Sequence, residues 1–410
     1  MSIGTRHRIL WVTTVPPWPP DRGSQIRDFE LMRRVSAVHD VTVLCTANRA
    51  EGEAAAQALT AFGVRLEWYA PEPQGIASLA TWLLRGFPAA AWSWCNPAIQ
   101  REITRRIRDR TVDVLQVEHS FLAPLIDAVP HTPRVSTLLD LHNVAESQYA
   151  TYVRMEARWL SRWMERGRAW LMTGWEARWA ARYAGVVTTS VPDAEQIRRA
   201  WSSDQQRGRS PLVVPNAVDT DRLQPLPPSG GRGLLFVGNL AYRPNADAVR
   251  WLGEAIVPMV RHAEPTATLT VVGGGAPSSL ANAPFDGVSL RGRVDDLAPL
   301  YAAATVAVVP LRAGGGTPLK MLEAMALGRP IVATSLACAG LDVRAGTHVL
   351  IEDDPRRFAD AVVALLRDEA RCAELSVAAR ALVEARYSWA RSAETLLHAY
   401  RTDDEPIPDA

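Results

Sequence analysis

The stretch from Val306 to Thr334 constrains the fold more than any other part of the chain. It reads VAVVPLRAGGGTPLKMLEAMALGRPIVAT. The apolar run Val306–Val309 predicts a strand buried on both faces, and Ile331–Ser335 predicts the strand that follows. Pro310 ends the first strand, and Gly314, Gly315 and Gly316 let the backbone turn sharply and approach a ligand. Thr317 suits an N-cap and Pro318 the first helical position. Leu319, Leu322, Met325 and Ala326 then repeat at helical spacing, and Gly328 with Pro330 beyond it closes the helix.

Lys320 and Glu323 stand near the start of that helix. A helix N-terminus offers N–H groups and partial positive charge, which suits phosphate, and Lys320 adds a full charge. One turn further on, the Glu323 carboxylate can accept paired hydrogen bonds from the two hydroxyls of a ribose. Phosphate and ribose together describe a nucleotide. An ordinary strand–turn–helix with a solvated Lys and Glu fits the same residues, and their chemistry alone does not choose between the two.

With 410 residues and 48% apolar content the chain can bury more than one core, and two domains are expected. A formal net charge of +1 gives no bulk attraction to nucleic acid, so no such partner is expected. Cys45, Cys95, Cys338 and Cys372 show neither CxxC nor metal spacing and read as reduced thiols. The strand-like Ile9–Thr13 follows a short basic lead without a signal-peptide profile, and no apolar segment approaches the roughly 18 residues of a membrane span. The expected location is cytoplasmic.

In chain order, Arg8–Val15 predicts a first strand. A helix starts near Ser24, after a turn fixed by prolines and a loop opened by Gly23, and Ile26, Phe29, Leu31, Met32 and Val35 suit its buried side. Arg27, on its first turn, reads as a surface residue or as one that reaches a ligand. Val41–Cys45, Val112–Glu118 and Val135–Leu141 follow as strands. The last two end at His119 and His142, where α/β folds place ligand sites, although a structural histidine explains either position. From Ala150 to Tyr183 a helical segment, broken at Thr173–Gly174, carries Trp159, Trp163 and Trp170 in one stripe with Tyr152. Arg154, Arg158, Arg162, Arg166 and Arg168 are interleaved with them, and Trp175 and Trp179 lie on the opposite side. The stripe reads as an interfacial helix against anionic lipid, or as one packed on its own domain beneath solvated arginines.

Val186–Ser190 is another strand, Pro225–Gly233 a linker, and Gly233–Gly238 the opening strand of a second domain. Ala267–Gly275 reads as a strand and a simple glycine turn. Asp295 and Asp296 are adjacent just before LAPLYAAA, so capping explains them better than a metal, and no metal is expected. Ala359–Leu366 and Glu374–Ala385 are amphipathic, and the residues after Thr402 are expected to be disordered.

Several of these stretches resemble GT-B glycosyltransferases of the retaining GT4 class (group 1), in particular a bacterial branch with the pattern G-G-T-x-L-K-x-L-E-A-M-A-x-G-x-P. They are Gly315–Pro330, DLHNVAES from Asp140, PNAVD from Pro215, GNLAYRPNADA from Gly238, VSLRGRVDD from Val288, and the end beginning Tyr387-Ser388-Trp389. The resemblance implies an α/β GT-B fold: two doubly wound Rossmann-like domains facing across a cleft. An acceptor-side domain would span 1–215, a linker 216–232 and a nucleotide-sugar-binding domain 233–386. A helix at 387–402 would cross back to the first domain, ahead of a tail at 403–410. The implied activity is transfer of a sugar from a nucleotide diphosphate donor to an acceptor hydroxyl with retention of configuration. The donor is a co-substrate, and no cofactor is needed.

Residue by residue, Gly23 matches the glycine that lets the donor diphosphate approach, and Gly292 and Arg293 lie in the segment that holds the base. Glu323 would hold ribose, while Lys320, Arg243 and the N–H groups of Gly315, Gly316 and Thr317 hold phosphates. Asn239 stands where many relatives carry a phosphate-clamping arginine, and Gly315 where they carry the first glutamate of a pair. His142 aligns with a histidine lining donor sugar and acceptor, with His119, Asp140 and Asn143 on the acceptor side. Catalytic roles fall to His142, Lys320 and Arg243. The implied use is synthesis of cell-surface polysaccharide, glycolipid or another glycoconjugate, at the inner face of the membrane if helix 150–183 touches lipid. A small-molecule glycosyltransferase, a sugar-nucleotide 2-epimerase and a non-catalytic nucleotide-binding relative stay open.

Overall fold

A computed structural model describes residues 6–72, 94–129, 135–144, 159–201, 210–283 and 285–400. The chain forms two compact units. The first is built from described residues within Met1–Ala150, Leu160–Pro215 and Ala390–Ala410, and the second chiefly from Asn216–Trp389.

The first unit holds a seven-stranded sheet in the order β3-β2-β1-β4-β5-β6-β7, with every neighbouring pair parallel. Its strands are β1 Arg8–Val12, β2 Asp40–Thr46, β3 Arg65–Tyr69, β4 Val114–Glu118, β5 Ser136–Leu141, β6 Gly185–Thr188 and β7 Leu212–Val213. Strand order reverses between β1 and β4, where Ile9 lies opposite Val114. The carboxyl ends of such a pair flank the crevice in which open parallel sheets bind ligands. The second unit repeats the plan with six strands, β10-β9-β8-β11-β12-β13, again all parallel. They are β8 Gly233–Val237, β9 Thr268–Val272, β10 Val288–Leu290, β11 Val306–Val309, β12 Ile331–Ala333 and β13 Leu350–Ile351. Its reversal lies between β8 and β11.

The central strands are nearly all apolar because helices cover both faces of a parallel sheet. All four residues of β11 are buried, as the sequence predicts. Leu10, Leu115, Leu139 and Ile103 centre the first core, and Phe236, Val308, Met325, Phe358 and Val383 the second. Edge strand β3 escapes sequence reading because only Leu66 of RLEWY is buried.

The helix Trp159–Ala180 runs unbroken through Thr173–Gly174. Thr173 Oγ1 donates to the Ala169 carbonyl at 2.9 Å, and a Cβ added at Gly174 would meet nothing within 4 Å, so nothing forces a kink. Trp175 and Trp179 are buried, whereas Trp163 and Trp170 are 71% and 78% exposed beside exposed Met164 and Leu171. These two tryptophans therefore do not pack on their own unit, contrary to one of the two sequence readings. The side chains of Trp159 and Arg162, and residues 145–158 with Tyr152, Arg154 and Arg158, lie outside the described residues. Among the described residues no helix is long and apolar enough to cross a membrane. After helix Trp389–Ala399, whose Ser392 Oγ donates to the Pro215 carbonyl at 2.9 Å, Tyr400 is buried in the first unit. The expected tail at 403–410 lies beyond the described residues.

Candidate active site

In the second unit, the turn after β11 needs glycine at Gly314 and Gly316, whose φ angles are 118° and 71°. Pro318 is extended, with ψ 113°, so it is itself the N-cap and the helix runs Leu319–Ala326. That start is one residue later than Thr317 and Pro318 suggest. No side chain caps it. Thr317 is buried and its carbonyl accepts from Asn216 Nδ2 at 3.0 Å.

Helical spacing buries Met321, Leu322 and Met325 and leaves Lys320 and Glu323 half-buried. Lys320 Nζ donates to Asn245 Oδ1 at 2.6 Å and lies 4.2 Å from the centroid of the Phe236 ring. Desolvation in this setting, opposed by the charge of Glu323, brings its ammonium down to about 7. Burial likewise raises Glu323 to about 7, against the positive charges of Lys320 and Arg222. Asn245, on helix Arg243–Trp251, also donates from Nδ2 to the Asn239 carbonyl at 2.8 Å, tying the loop after β8 to the lysine. A Cβ at Gly238 would fall 2.7 Å from Lys320 Nζ and 2.9 Å from Asn245. The turn after β9 presses on the same loop, since a Cβ at Gly273 would sit 1.8 Å from the Gly238 carbonyl oxygen. That glycine run is a packing seat. Arg243 is exposed on the first turn of its helix, and Gly292 (φ 65°) and Arg293 are exposed beyond β10. Asp296 accepts from Ala298 N at 2.9 Å, which is the capping role expected of it.

In the first unit, helix Gly23–Val35 begins at Gly23, whose φ is not positive. A turn-making conformation is therefore not what that position requires. The buried side of this helix includes Arg27 and Asp28 where the sequence suggests Ile26, which is only half-buried. Arg27 is not the surface residue of one expectation: at 1% exposure it donates to Asp140 Oδ2 from Nε at 3.2 Å and from Nη2 at 2.8 Å. His142 is buried, with Nε2 2.7 Å from Glu118 Oε2 and 3.3 Å from Asp28 Oδ1. Burial alone would keep this imidazole neutral. The charges and hydrogen bonds of Asp28 and Glu118, with the charge of Asp140, instead carry it up to about 10. The ring of His119 lies 3.9 Å from that of His142, centroid to centroid, and burial and the neighbouring cation keep it neutral. His119 holds a φ of 66°, uncommon for a residue other than glycine. Asn143 is exposed.

The structure thus gathers His119, Asp140 and His142 into one cluster at the ends of β4 and β5. It joins Arg27 to them and adds Asp28 and Glu118, which apolar periodicity hides because it assigns charged residues to solvent. Asn245 could have been read from the P-N of YRPNADA. Among the described residues, Asp28–His119–His142 and Glu118–Asp140–His142 are close enough to share an ion. Arg27 already occupies Asp140, and His142 bridges Glu118 and Asp28, so the cluster supplies its own cations.

Residues 231–368 match the model of the family described as Glycosyl transferases group 1. A phosphatidyl-myo-inositol mannosyltransferase of Mycobacterium leprae is 29% identical over 236 residues, which is 55% of this chain and 60% of that protein. The chain therefore spans less than two thirds of this relative. Sucrose-phosphate synthase from Thermosynechococcus elongatus superposes with a TM-score of 0.70 at 17% identity, covering 96% of this chain and 98% of that one. Anabaena HepE, crystallised with UDP and glucose, gives 0.66 at 14%, covering 96% and 99%. The fold is GT-B, made of two parallel-sheet α/β domains.

Proposed function

We propose that the chain is a group 1 glycosyltransferase that moves a sugar from a nucleoside diphosphate donor to an acceptor hydroxyl. The observation that carries this reading is the arrangement at the carboxyl ends of β8 and β11. A lysine held by Asn245 stands one helical turn from a carboxylate, above a glycine turn, inside the segment that matches the family. Diphosphate departure is helped by preorganised positive charge, and Lys320 is placed to supply it. Its lowered affinity for a proton in the free protein means that an incoming diphosphate draws a proton onto it. Glu323 would take the ribose hydroxyls. On the first unit, a charged His142 can donate to a sugar hydroxyl, and the network around it fixes its direction.

Retention follows in this reading if the departing phosphate oxygen takes the acceptor proton on the same face, without a carboxylate base. Metal and cofactor would not be needed, so a chelator should leave turnover intact. Anomeric configuration of the product, read by NMR, tests the stereochemistry. The relative's name supports a glycolipid acceptor, which would place the reaction at the cytoplasmic face of a membrane with the exposed Trp163 and Trp170 toward lipid. The deciding experiment is calorimetric titration with UDP, GDP, dTDP and ADP. Saturable binding of one nucleotide, lost in Glu323→Ala, is the expected result. Binding of none would overturn the proposal.

A further inference from the structure

Behind His142 the first unit continues as a line of buried polar side chains. Glu118 receives two donors: His142 Nε2 on Oε2 at 2.7 Å and Gln116 Nε2 on Oε1, also at 2.7 Å. Gln116 Oε1 in turn accepts from the hydroxyl of Tyr400. Gln116 and Glu118 are fully buried, and Tyr400 and His142 are nearly so. With Glu118 ionised, the direction of each bond is fixed by chemistry. A carboxylate only accepts, so the amide nitrogen of Gln116 must face Glu118. Its oxygen then faces Tyr400, which must donate.

The line meets an electrostatic need. Three carboxylates (Asp28, Glu118 and Asp140) share this space with two cations, Arg27 and His142. Neutral His119 adds no charge, and Asp193, on the helix after β6, is occupied by Ser190 Oγ at 2.6 Å. One buried carboxylate is therefore in excess, and burial with the charges of Asp140 and Asp28 raises Glu118 toward its neutral form. A neutral Glu118 would leave His142 without its nearest counter-ion. The Gln116 amide, aimed by Tyr400, stabilises the charged carboxylate.

We propose that Tyr400 and Gln116 are positioning residues that hold Glu118 ionised against His142, and so keep the site imidazole charged and fixed in direction. This rests on the reading that His142 belongs to the transfer site, but its test does not. The His142 ring proton is identified in the NMR spectrum of the full chain by its disappearance in His142→Gln, then titrated with pH. Tyr400→Phe removes one oxygen without changing shape, and the His142 midpoint is expected to fall by about one pH unit, a tenfold loss of proton affinity. Gln116→Met, which keeps the volume and loses the amide, should give a similar fall. The double variant should give no more than Gln116→Met alone, because both act through one line. With donor and acceptor supplied, kcat near neutral pH should be unchanged, because the imidazole stays charged there, and the alkaline limb of the kcat profile should move down by about one pH unit with KM for the donor unchanged.

A purely structural role predicts a lower melting temperature with an unmoved titration, and that result overturns the proposal. So does a moved titration with an unmoved alkaline limb of the kcat profile. Failure of the wild-type chain to bind any nucleotide would sink the functional reading and leave the titration result standing.

Discussion

If Lys320 supplies the charge that meets the diphosphate, nucleotide affinity must carry its titration. In the free protein burial holds the ammonium at about 7, whereas two phosphate groups beside it would hold it charged well above that. Binding therefore takes up a proton wherever the free lysine has lost one, and affinity must fall as pH rises. With a free midpoint near 7, the charged fraction drops from roughly a quarter at pH 7.5 to about 3% at pH 8.5. That alone is roughly an eightfold loss. Glu323, raised to about 7, works the other way as it completes its ionisation, trimming the loss to roughly sixfold. Below pH 7 the loss of ionised Glu323 outweighs the lysine and the net slope reverses, so the whole profile should be a bell with its top near neutrality. The assay is calorimetric titration of the preferred nucleotide in buffers of different ionisation enthalpy, which counts protons as well as affinity. At pH 8 nearly one proton should be taken up at Lys320 per nucleotide bound. Lys320→Arg, charged throughout, should bind with no fall over the same interval. A flat wild-type profile, or a slope equal to that of the arginine variant, would refute the assignment.

Three further outcomes follow from the geometry. Gly238→Ala puts a methyl group 2.7 Å from Lys320 Nζ and 2.9 Å from Asn245, and should weaken nucleotide binding about tenfold with the fold retained, measured by the same titration. Asp140→Ala leaves the guanidinium of Arg27 buried without its bonded carboxylate, and should lower unfolding free energy in denaturant by about 3–5 kcal/mol. Trp163→Ser with Trp170→Ser should reduce sedimentation with vesicles containing anionic lipid several-fold without changing nucleotide affinity; equal sedimentation would remove the membrane from the functional reading.

What the sequence discloses and what it hides divide along physical lines. The apolar run Val306–Val309 announces a buried parallel strand because no solvent face interrupts it. Lys320 and Glu323 stand out because their helix is otherwise apolar, and the structure joins the lysine to Asn245. The first unit is harder to read. Arg27, Asp28 and Glu118 look like solvated charges in one dimension, and only the meeting of three distant segments makes them a buried network. Gly23 misleads in the opposite sense: it looks like a turn residue, yet it begins a helix with ordinary backbone angles. The Trp stripe is legible as a stripe, but whether it meets protein or solvent depends on neighbours that periodicity does not specify.

Tyr400 closes a network whose other members lie within the first 142 positions. On the ribosome the strands of the first unit emerge early, and the whole second unit is made before that tyrosine appears. The half that starts to fold first is thus among the last to be finished. Until then Glu118 and His142 sit beside a glutamine that nothing aims. A nascent or truncated chain can therefore carry all of the second unit while the first still lacks the residue that aims Gln116. Completion of synthesis itself would then be what sets the direction of the buried line.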